Sequence, residues 1–343
     1  MNTAKPRLLL MNIGIPQALL YYYYYPLWQP FLEQLGAKTI VSKPTDQDII
    51  HQGSRVSVPE ICVPIKVFNG HVNELLNKGV DYIFAPRMVQ VEKGLTFCPK
   101  FLGLPDMLDY TFPAHKNQML APQIKGTNEW SVSSQDLQKE PFFAAFDKSR
   151  LEAAWQIGVK AWNRFREICR RGYLIPEALD LYQKPDLPKV KNQQGEIKIG
   201  LIGYVYDIYD KLVGMEICQR LQEMGADLST FEMLQDKDID RQIDPMKKSL
   251  FWTFSNKVFG AGLHFYQQPE IDGIIHVTAF GCGPDSLSGK MMELDAEKYG
   301  KPFMTVRVDE HSGESHLQTR IEAFTDMLKR RKRLRLIELG VRS

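Results

Sequence analysis

The strongest constraint on the fold is an alternation of short apolar runs with segments of helical spacing. In the first half of the chain we expect strands at Arg7–Ile13, Ala37–Ser42 and Asp81–Ala85, and helices at Leu27–Leu35 and Pro64–Leu76. Buried strands that alternate with helices are typical of a parallel sheet covered by helices on both faces. The sequence therefore predicts the α/β class.

The second half of the chain repeats this pattern. We expect a helix and several strands there, at Lys211–Met224, Ile197–Leu201, Ala226–Phe231, Gly273–Val277 and Pro302–Val308. The segment Leu32–Ala37 also resembles Leu221–Ala226 at an offset of 189 residues. A repeated pattern at a fixed offset indicates a duplicated unit. We therefore predict two related Rossmann-like lobes with parallel sheets rather than one large sheet.

The length of 343 residues favours about two domains. Between the predicted lobes, residues 125–145 are polar, Phe142–Arg171 has helical spacing, and Gln183–Gln194 has the composition of a linker. The predicted organisation is a first α/β lobe at 1–125, a helical connection and linker at 126–195, and a second α/β lobe with a basic C-terminal helix at 196–343.

Composition and charge narrow the class of protein. The formal net charge is only +2 and hydrophobic residues make up 44% of the chain, so there is no global reason to expect nucleic acid or an anionic membrane as a partner. No apolar stretch reaches the length of about 18 residues that a membrane span needs. Five cysteines without a secretory signal do not form a disulfide framework. We expect a cytoplasmic protein with reduced thiols.

The basic run Lys329–Arg335 has six cationic residues in seven. A solvated last turn of a helix explains it, because cations are favoured at a helix C-terminus. Docking of an acidic partner protein is the alternative.

The five cysteines fall into two groups. Cys169 and Cys218 lie at helical spacing from apolar residues, which indicates core packing. Cys62, Cys98 and Cys282 instead lie in segments that contain Gly and Pro. In parallel sheets, ligands bind beyond the carboxyl ends of the strands, and a thiolate trio there suits zinc or an iron–sulfur cluster. Three unrelated packed cysteines are the alternative.

Five motifs, in order along the chain, carry a resemblance to a known family: Gly14–Trp28, Pro59–Val72, Cys98–Met107, Phe280–Leu287 and Asp309–Glu314. They resemble the activase-associated family related to 2-hydroxyacyl-CoA dehydratase subunits. Two positions depart from the family pattern, since Gln17 stands where Arg is frequent and Asn69 where His is frequent. Residues 115–195 carry none of the resemblance.

The resemblance implies an iron–sulfur protein whose cluster lies between Rossmann-like domains. The cluster would be of the 4Fe–4S type, or a double cubane in a homodimer, and its ligands would be Cys62, Cys98 and Cys282. The resemblance also implies an ATP-dependent activator protein that supplies a low-potential electron. The expected function is then ATP-driven electron transfer, or reductive or dehydratase chemistry on an acyl-CoA or another small molecule.

Several alternatives remain open. The chain could be a non-catalytic cluster-binding adaptor or carrier, a zinc-thiolate enzyme that uses the same thiolates, or a metal-free binding fold. It has neither the three-glycine dinucleotide fingerprint nor a P-loop. If the chemistry needs ATP, a partner must hydrolyse it.

A few other side chains are candidates for catalysis. Tyr21, the first of five consecutive tyrosines, could direct a hydroxyl at the cluster, or the run could be an aromatic packing loop. His71 could transfer protons, or it could only form hydrogen bonds on the surface of its helix. Glu310 and His311 follow a predicted strand and could act as acid and base, or belong to a helix cap. Asp285 and Ser286 are expected to cap the helix after Cys282. Lys66 and Lys100 are expected to be solvated, or else to offset the charge of the cluster or bind an anionic CoA ester.

Overall fold

The computed structural model describes residues 11–244, 249–309 and 314–338, and these form two compact units. Unit 1 comprises residues 11–167, 179–185 and 250–253. Unit 2 comprises residues 168–178, 186–244, 249, 254–309 and 314–338.

The strands of unit 1 are β1 (Asn12–Ile15), β2 (Lys38–Val41), β3 (Tyr82–Phe84), β4 (Arg87–Gln90), β5 (Met119–Leu120) and β6 (Gln123–Lys125). The main sheet has the order β2-β1-β3-β5, and each of its pairings is parallel. Strands β4 and β6 form a separate parallel pair.

The strands of unit 2 are β7 (Ile197–Gly203), β8 (Ala226–Ser229), β9 (Gly273–Ala279) and β10 (Phe303–Val308). They form a parallel sheet of order β10-β9-β7-β8. Read from the other edge, this is the order of unit 1: second strand, first, third, fourth. The offset of 189 residues carries β1 onto β7 and β2 onto β8. The α/β class and the two lobes with parallel sheets are therefore confirmed.

The helices are α1 (Tyr21–Gln34), α2 (Gln47–Val56), α3 (Val63–Asn77), α4 (Pro99–Leu102), α5 (Leu104–Thr111), α6 (Ser134–Leu137), α7 (Pro141–Ala144), α8 (Lys148–Arg170), α9 (Ile175–Leu181), α10 (Val205–Tyr209), α11 (Ile217–Glu223), α12 (Asp236–Ile243), α13 (Thr253–Gln267), α14 (Gly283–Tyr299) and α15 (Glu314–Glu338). Short 3₁₀ turns lie at Pro113–Gln118, Glu129–Ser131 and Phe231–Met233. In the described parts of the chain, no helix combines the length and the apolar character that crossing a membrane requires.

Helix α8 packs against α1 within unit 1 through aromatic rings. Trp155 of α8 meets Phe31 of α1 edge-on at 5.1 Å between ring centres, and Trp162 stacks on Tyr24 at 5.7 Å. A methyl group at Gly158 would lie only 2.5 Å from the Leu27 carbonyl oxygen, so the two helix backbones approach closely there. The tyrosine run is thus part of a packed helix, and the expectation of an aromatic loop is wrong.

The helix expected at Lys211–Met224 is shorter than predicted. Met215 and Glu216 have positive φ angles of 48° and 54°. A right-handed α-helix cannot contain two consecutive residues with such angles. Helix α11 therefore starts only at Ile217.

The basic run near the end of α15 is held against its own unit. Glu196 forms ion pairs with Lys329 at 3.5 Å and with Arg333 at 2.9 Å. Lys332 forms an ion pair with Asp272 at 3.0 Å. Part of the run is therefore neutralised by neighbouring carboxylates rather than simply solvated. Exposed pairs of this kind contribute little stability each.

Candidate functional site

Cys62, Cys98 and Cys282 occupy the same local position. Each is the N-cap residue of a helix, α3, α4 and α14 respectively, and each has extended backbone angles and a half-buried side chain. The other two cysteines lie inside helices: Cys169 is fully buried in α8, and burial raises the pKa of the Cys218 thiol in α11. None of the five is in a disulfide.

Proline explains why these helices begin at a cysteine. A proline stands at the first or second helical position in each case, as Pro64, Pro99 and Pro284. Proline has no N–H to lose in the first turn of a helix and its fixed φ angle suits that turn, whereas further along it would break the helix. The sequence patterns Cys-x-Pro and Cys-Pro therefore place each thiol at the positive end of a helix dipole.

The pKa of Cys98 shows the competing effects at such a position. Burial raises the pKa of its thiol, while the backbone N–H groups of Phe101 and Lys100 and the charge of Lys100 act in the opposite direction. Burial has the larger effect, so the pKa of Cys98 lies above its usual value.

In unit 1, the helices that follow Cys62 and Cys98 meet at one place. The strand order reverses between β1 and β3, which is where ligands bind in such sheets. An apolar crevice at the carboxyl ends of these strands is lined by Pro16 and Pro86, by Phe68 of α3 and by Phe101 of α4. Unit 1 thus brings α3 and α4 to the reversal point.

In unit 2, Cys282 follows the carboxyl end of β9, next to the reversal between β7 and β9. Behind it lies a buried polar group. His276 of β9 has Nε2 3.1 Å from both carboxylate oxygens of Asp285, and Asp207 of α10 is likewise fully buried. Within the described structure, no side chain donates a hydrogen bond to either oxygen of Asp207.

The two buried carboxyl groups have opposite pKa shifts. Burial alone would raise the pKa of Asp285, but the charge and hydrogen bond of His276 and a hydrogen bond from Ser288 bring it below its usual value. Burial and then the charge of Asp285 raise the pKa of Asp207 well above its usual value, although the backbone N–H of Ala279 acts the other way. Asp285 is therefore ionised at neutral pH, whereas Asp207 keeps its proton to a higher pH than an exposed aspartate does.

Sequence patterns did not indicate Asp207 or His276 as site residues. The available signal is a lone histidine in the otherwise apolar run Gly273–Val277. Asp285 was expected to cap α14, but its side chain turns to His276 instead, and only Ser286 bonds to the N-cap residue.

His71 lies in α3 and is fully buried. Its Nδ1 is 2.8 Å from Ser42 Oγ and its Nε2 is 3.0 Å from Thr45 Oγ1. Burial lowers its pKa to about 3, so the imidazole is neutral. Both ring nitrogens are thus engaged in joining α3 to the segment after β2.

Tyr21 is buried in α1, between the rings of Tyr22 and Tyr25. Burial and then Tyr182 raise the pKa of its hydroxyl, so it stays protonated. Lys66 is buried in α3, which makes the expectation of a solvated lysine wrong there, whereas Lys100 is exposed.

The remaining predicted residues, Glu310 and His311, lie outside the described residues. Within residues 11–244, 249–309 and 314–338, no three His, Cys, Asp or Glu side chains form a group that could hold a metal ion. Cys62 and Cys98 belong to unit 1 and Cys282 to unit 2, and the three-thiolate ligand set stays a prediction.

Comparison with known families gives two matches. Residues 12–234, more than half of the chain, match the model of the CoA enzyme activase uncharacterised domain (DUF2229). Residues 212–328 match the model of the 2-hydroxyglutaryl-CoA dehydratase, D-component. Cys62 and Cys98 lie in the first match and Cys282 in the second. No curated protein matches the chain.

Proposed function

Because the chain belongs to the family of the CoA enzyme activase uncharacterised domain, we propose that it is a cytoplasmic iron–sulfur protein that works with a separate ATP-dependent activator. Cys62, Cys98 and Cys282 would be the cluster ligands. The reaction would be ATP-driven, low-potential electron transfer, or reductive or dehydratase chemistry on an acyl-CoA or another small molecule. The match of residues 212–328 to the dehydratase D-component supports the dehydratase part.

The observation that carries the ligand assignment is the shared N-cap position of these three cysteines. The positive end of a helix stabilises a thiolate relative to a thiol. Thiolates are the usual ligands of iron–sulfur clusters, so the donor chemistry fits. Cys169 and Cys218, inside their helices, lack this feature.

Lysines beside two of the cysteines fit the same role. Lys66 is buried one helical turn after Cys62 in α3, and the charge of Lys100 lowers the pKa of Cys98 against the effect of burial. Because Lys66 is poorly solvated, its charge would interact strongly with an anionic group, whereas exposed Lys100 would interact more weakly. We infer that these lysines would offset the charge of thiolates and cluster.

When bound, the cluster would supply one-electron chemistry at low potential. Three protein ligands leave one coordination position of a 4Fe–4S cluster for water, for a substrate or for a ligand from a second protein. A double cubane needs more thiolates than these three, so it would require a homodimer or another subunit. The chain itself has no P-loop, which is why we assign ATP hydrolysis to the activator.

The proposal is tested by measuring iron, acid-labile sulfide and zinc per chain after purification without oxygen. We expect about four iron and about four sulfide per chain for a 4Fe–4S cluster, and more for a double cubane. Cys62→Ser, Cys98→Ser and Cys282→Ser should each lose most of the iron and sulfide. Cys218→Ser, a cysteine inside α11, is the matched control and should keep them.

Other results would replace the proposal. A cluster that survives each of the three substitutions contradicts the ligand assignment. Zinc near one per chain without sulfide would indicate the zinc-thiolate enzyme, and absence of any metal would indicate a binding fold. A cluster-loaded protein that shows no turnover of any acyl-CoA with its activator would be an adaptor or carrier.

A further inference from the structure

The pair formed by His276 and Asp285 is completely enclosed. Both side chains have no exposed surface, and His276 Nε2 lies 3.1 Å from each oxygen of Asp285. A carboxylate can only accept hydrogen bonds, so Nε2 carries the hydrogen. Breaking a buried, charge-assisted hydrogen bond leaves a desolvated group without compensation, which makes this contact a strong restraint.

The carboxylate is also held from its own helix. The single hydroxyl hydrogen of Ser288 is shared between the Asp285 carbonyl, at 3.0 Å, and Asp285 Oδ1, at 3.2 Å. Asp285 therefore receives donors from the strand on one side and from α14 on the other, and its position in the first helical turn is fixed.

One turn further along α14, Gly289 makes a second contact with the same histidine. A methyl group there would lie 2.5 Å from His276 Cε1 and 2.7 Å from Nδ1, distances that real side chains do not adopt. The His276 ring thus packs directly on the backbone of α14 at Gly289, where any larger residue would collide with it. The imidazole is held between Asp285 and Gly289.

This anchored turn is bonded directly to Cys282. The backbone N–H and the hydroxyl of Ser286 both donate to the Cys282 carbonyl, at 3.0 Å and 2.6 Å. We propose that His276 and Asp285 are positioning residues that fix the first turn of α14 and, through it, the place of the Cys282 thiol. The link to a cluster rests on the proposed function, whereas the positioning itself does not.

The other two cysteine-bearing helix starts serve as internal references. Neither α3 nor α4 has an acidic residue in its first turn. A change at His276 should therefore act on Cys282 and leave Cys62 and Cys98 as they are.

The test measures alkylation rates of single cysteines by mass spectrometry in the full-length, metal-free protein. His276→Met keeps the volume of the side chain but removes the donor, whereas His276→Gln keeps an N–H that can reach Asp285. We expect His276→Met to raise the alkylation rate of Cys282 about tenfold, because the loss of a buried charge-assisted hydrogen bond has that order of effect. In His276→Gln the rate should stay within about twofold of the native protein.

Two results would overturn the proposal. In one, His276→Met leaves the Cys282 rate unchanged or raises all three cysteines equally. In the other, the glutamine variant behaves like the methionine variant, which would mean that shape and not the hydrogen bond matters. Should His276→Met fail to fold, Gly289→Ala, whose methyl group would strike the imidazole and displace α14 from His276, must produce the same selective rise. Because no metal is present, the result is independent of whether Cys282 binds a cluster.

Discussion

Two hydroxyls in the tyrosine run of α1 are hydrogen-bonded to charged side chains from distant parts of the chain. Arg166 Nη1 donates to Tyr23 OH at 2.5 Å, and Tyr24 OH donates to Glu129 Oε1 at 2.9 Å. Both rings also pack on Trp162. At the scale of single residues, these two tyrosines join α1 to α8 and to the turn at Glu129–Ser131, which is a structural role.

Removing either hydroxyl should therefore lower stability. Tyr23→Phe leaves the buried guanidinium of Arg166 without this acceptor, and Tyr24→Phe removes a donor to Glu129, so each should cost about 1–3 kcal/mol. Tyr25→Phe, whose ring is only half-buried, is the matched control and should change stability by less than about 0.5 kcal/mol. Urea unfolding measures all three. Equal effects at Tyr23 and Tyr25 would argue against the packing role.

At the scale of elements, α2 and α3 are locked together by two glycines. A methyl group at Gly53 of α2 would lie 1.8 Å from the Lys66 carbonyl oxygen, and one at Gly70 of α3 would lie 2.0 Å from the Ile49 carbonyl oxygen. The obstacles are backbone atoms, which cannot turn away as a side chain can. Because Cys62 begins α3, this contact also determines where that thiol lies.

Gly53→Ala and Gly70→Ala should each destabilise the protein by about 2 kcal/mol or more, because overpacking against backbone forces the helices apart. Gly103→Ala is a suitable control, since its methyl group would meet only the Pro99 carbonyl oxygen at 3.4 Å. The midpoints of thermal unfolding of the three variants provide the measurement. Tolerance of alanine at both Gly53 and Gly70 would contradict the close approach.

The sequence predicts the long buried strands better than helix boundaries, for a physical reason, whereas the short strands β4, β5 and β6 were not expected. Buried parallel strands are short apolar runs, and the expected strand at Gly273–Val277 differs from β9 by only two residues. The start of helix α1 was predicted too late, at Leu27, whereas the helix begins at Tyr21. The prediction failed because a run of tyrosines and two internal prolines are not typical of a helix. Its stability comes from packing on α8, which is tertiary information.

The site was predictable only in part. A proline just after each cysteine indicates a helix start, so the likeness of Cys62, Cys98 and Cys282 could be inferred from the chain alone. The contact between His276 and Asp285 could not, because it depends on how α14 lies against β9. A buried polar pair is specified by three-dimensional packing and leaves no periodic signal in the sequence.

At the scale of the whole molecule, the two units repeat one strand order but bury different titratable groups. Unit 1 encloses His71, whose pKa is lowered to about 3 by burial. Unit 2 encloses Asp207, whose pKa is raised by burial and by the charge of Asp285. Burial disfavours the charged form of each group, so the free energy of unfolding depends on pH through both groups.

The signs of the two effects are opposite. An unfolded histidine has a pKa of about 6.5. Above that pH the burial of neutral His71 does not reduce the free energy of unfolding, but it does so increasingly as the pH falls from there towards 3. An unfolded aspartate has a pKa of about 3.9. The protonated state of Asp207 therefore costs nothing below that pH, and stability is lost as the pH rises above it, through the raised pKa of the folded state.

Substitutions should separate these effects in the full chain. His71→Gln lowers stability at pH 7.5, because it disturbs the bonds to Ser42 and Thr45, but its deficit should shrink at pH 5 by about 1 kcal/mol or more. Asp207→Asn should gain stability over the native protein, and the gain should grow by a similar amount between pH 5 and pH 7.5 until the native carboxyl ionises. Amide hydrogen exchange measures each unit separately, with the exposed residues His51 and Asp186 substituted in the same way as controls. If both variants shift with pH in the same direction, burial is not the cause of these pKa shifts.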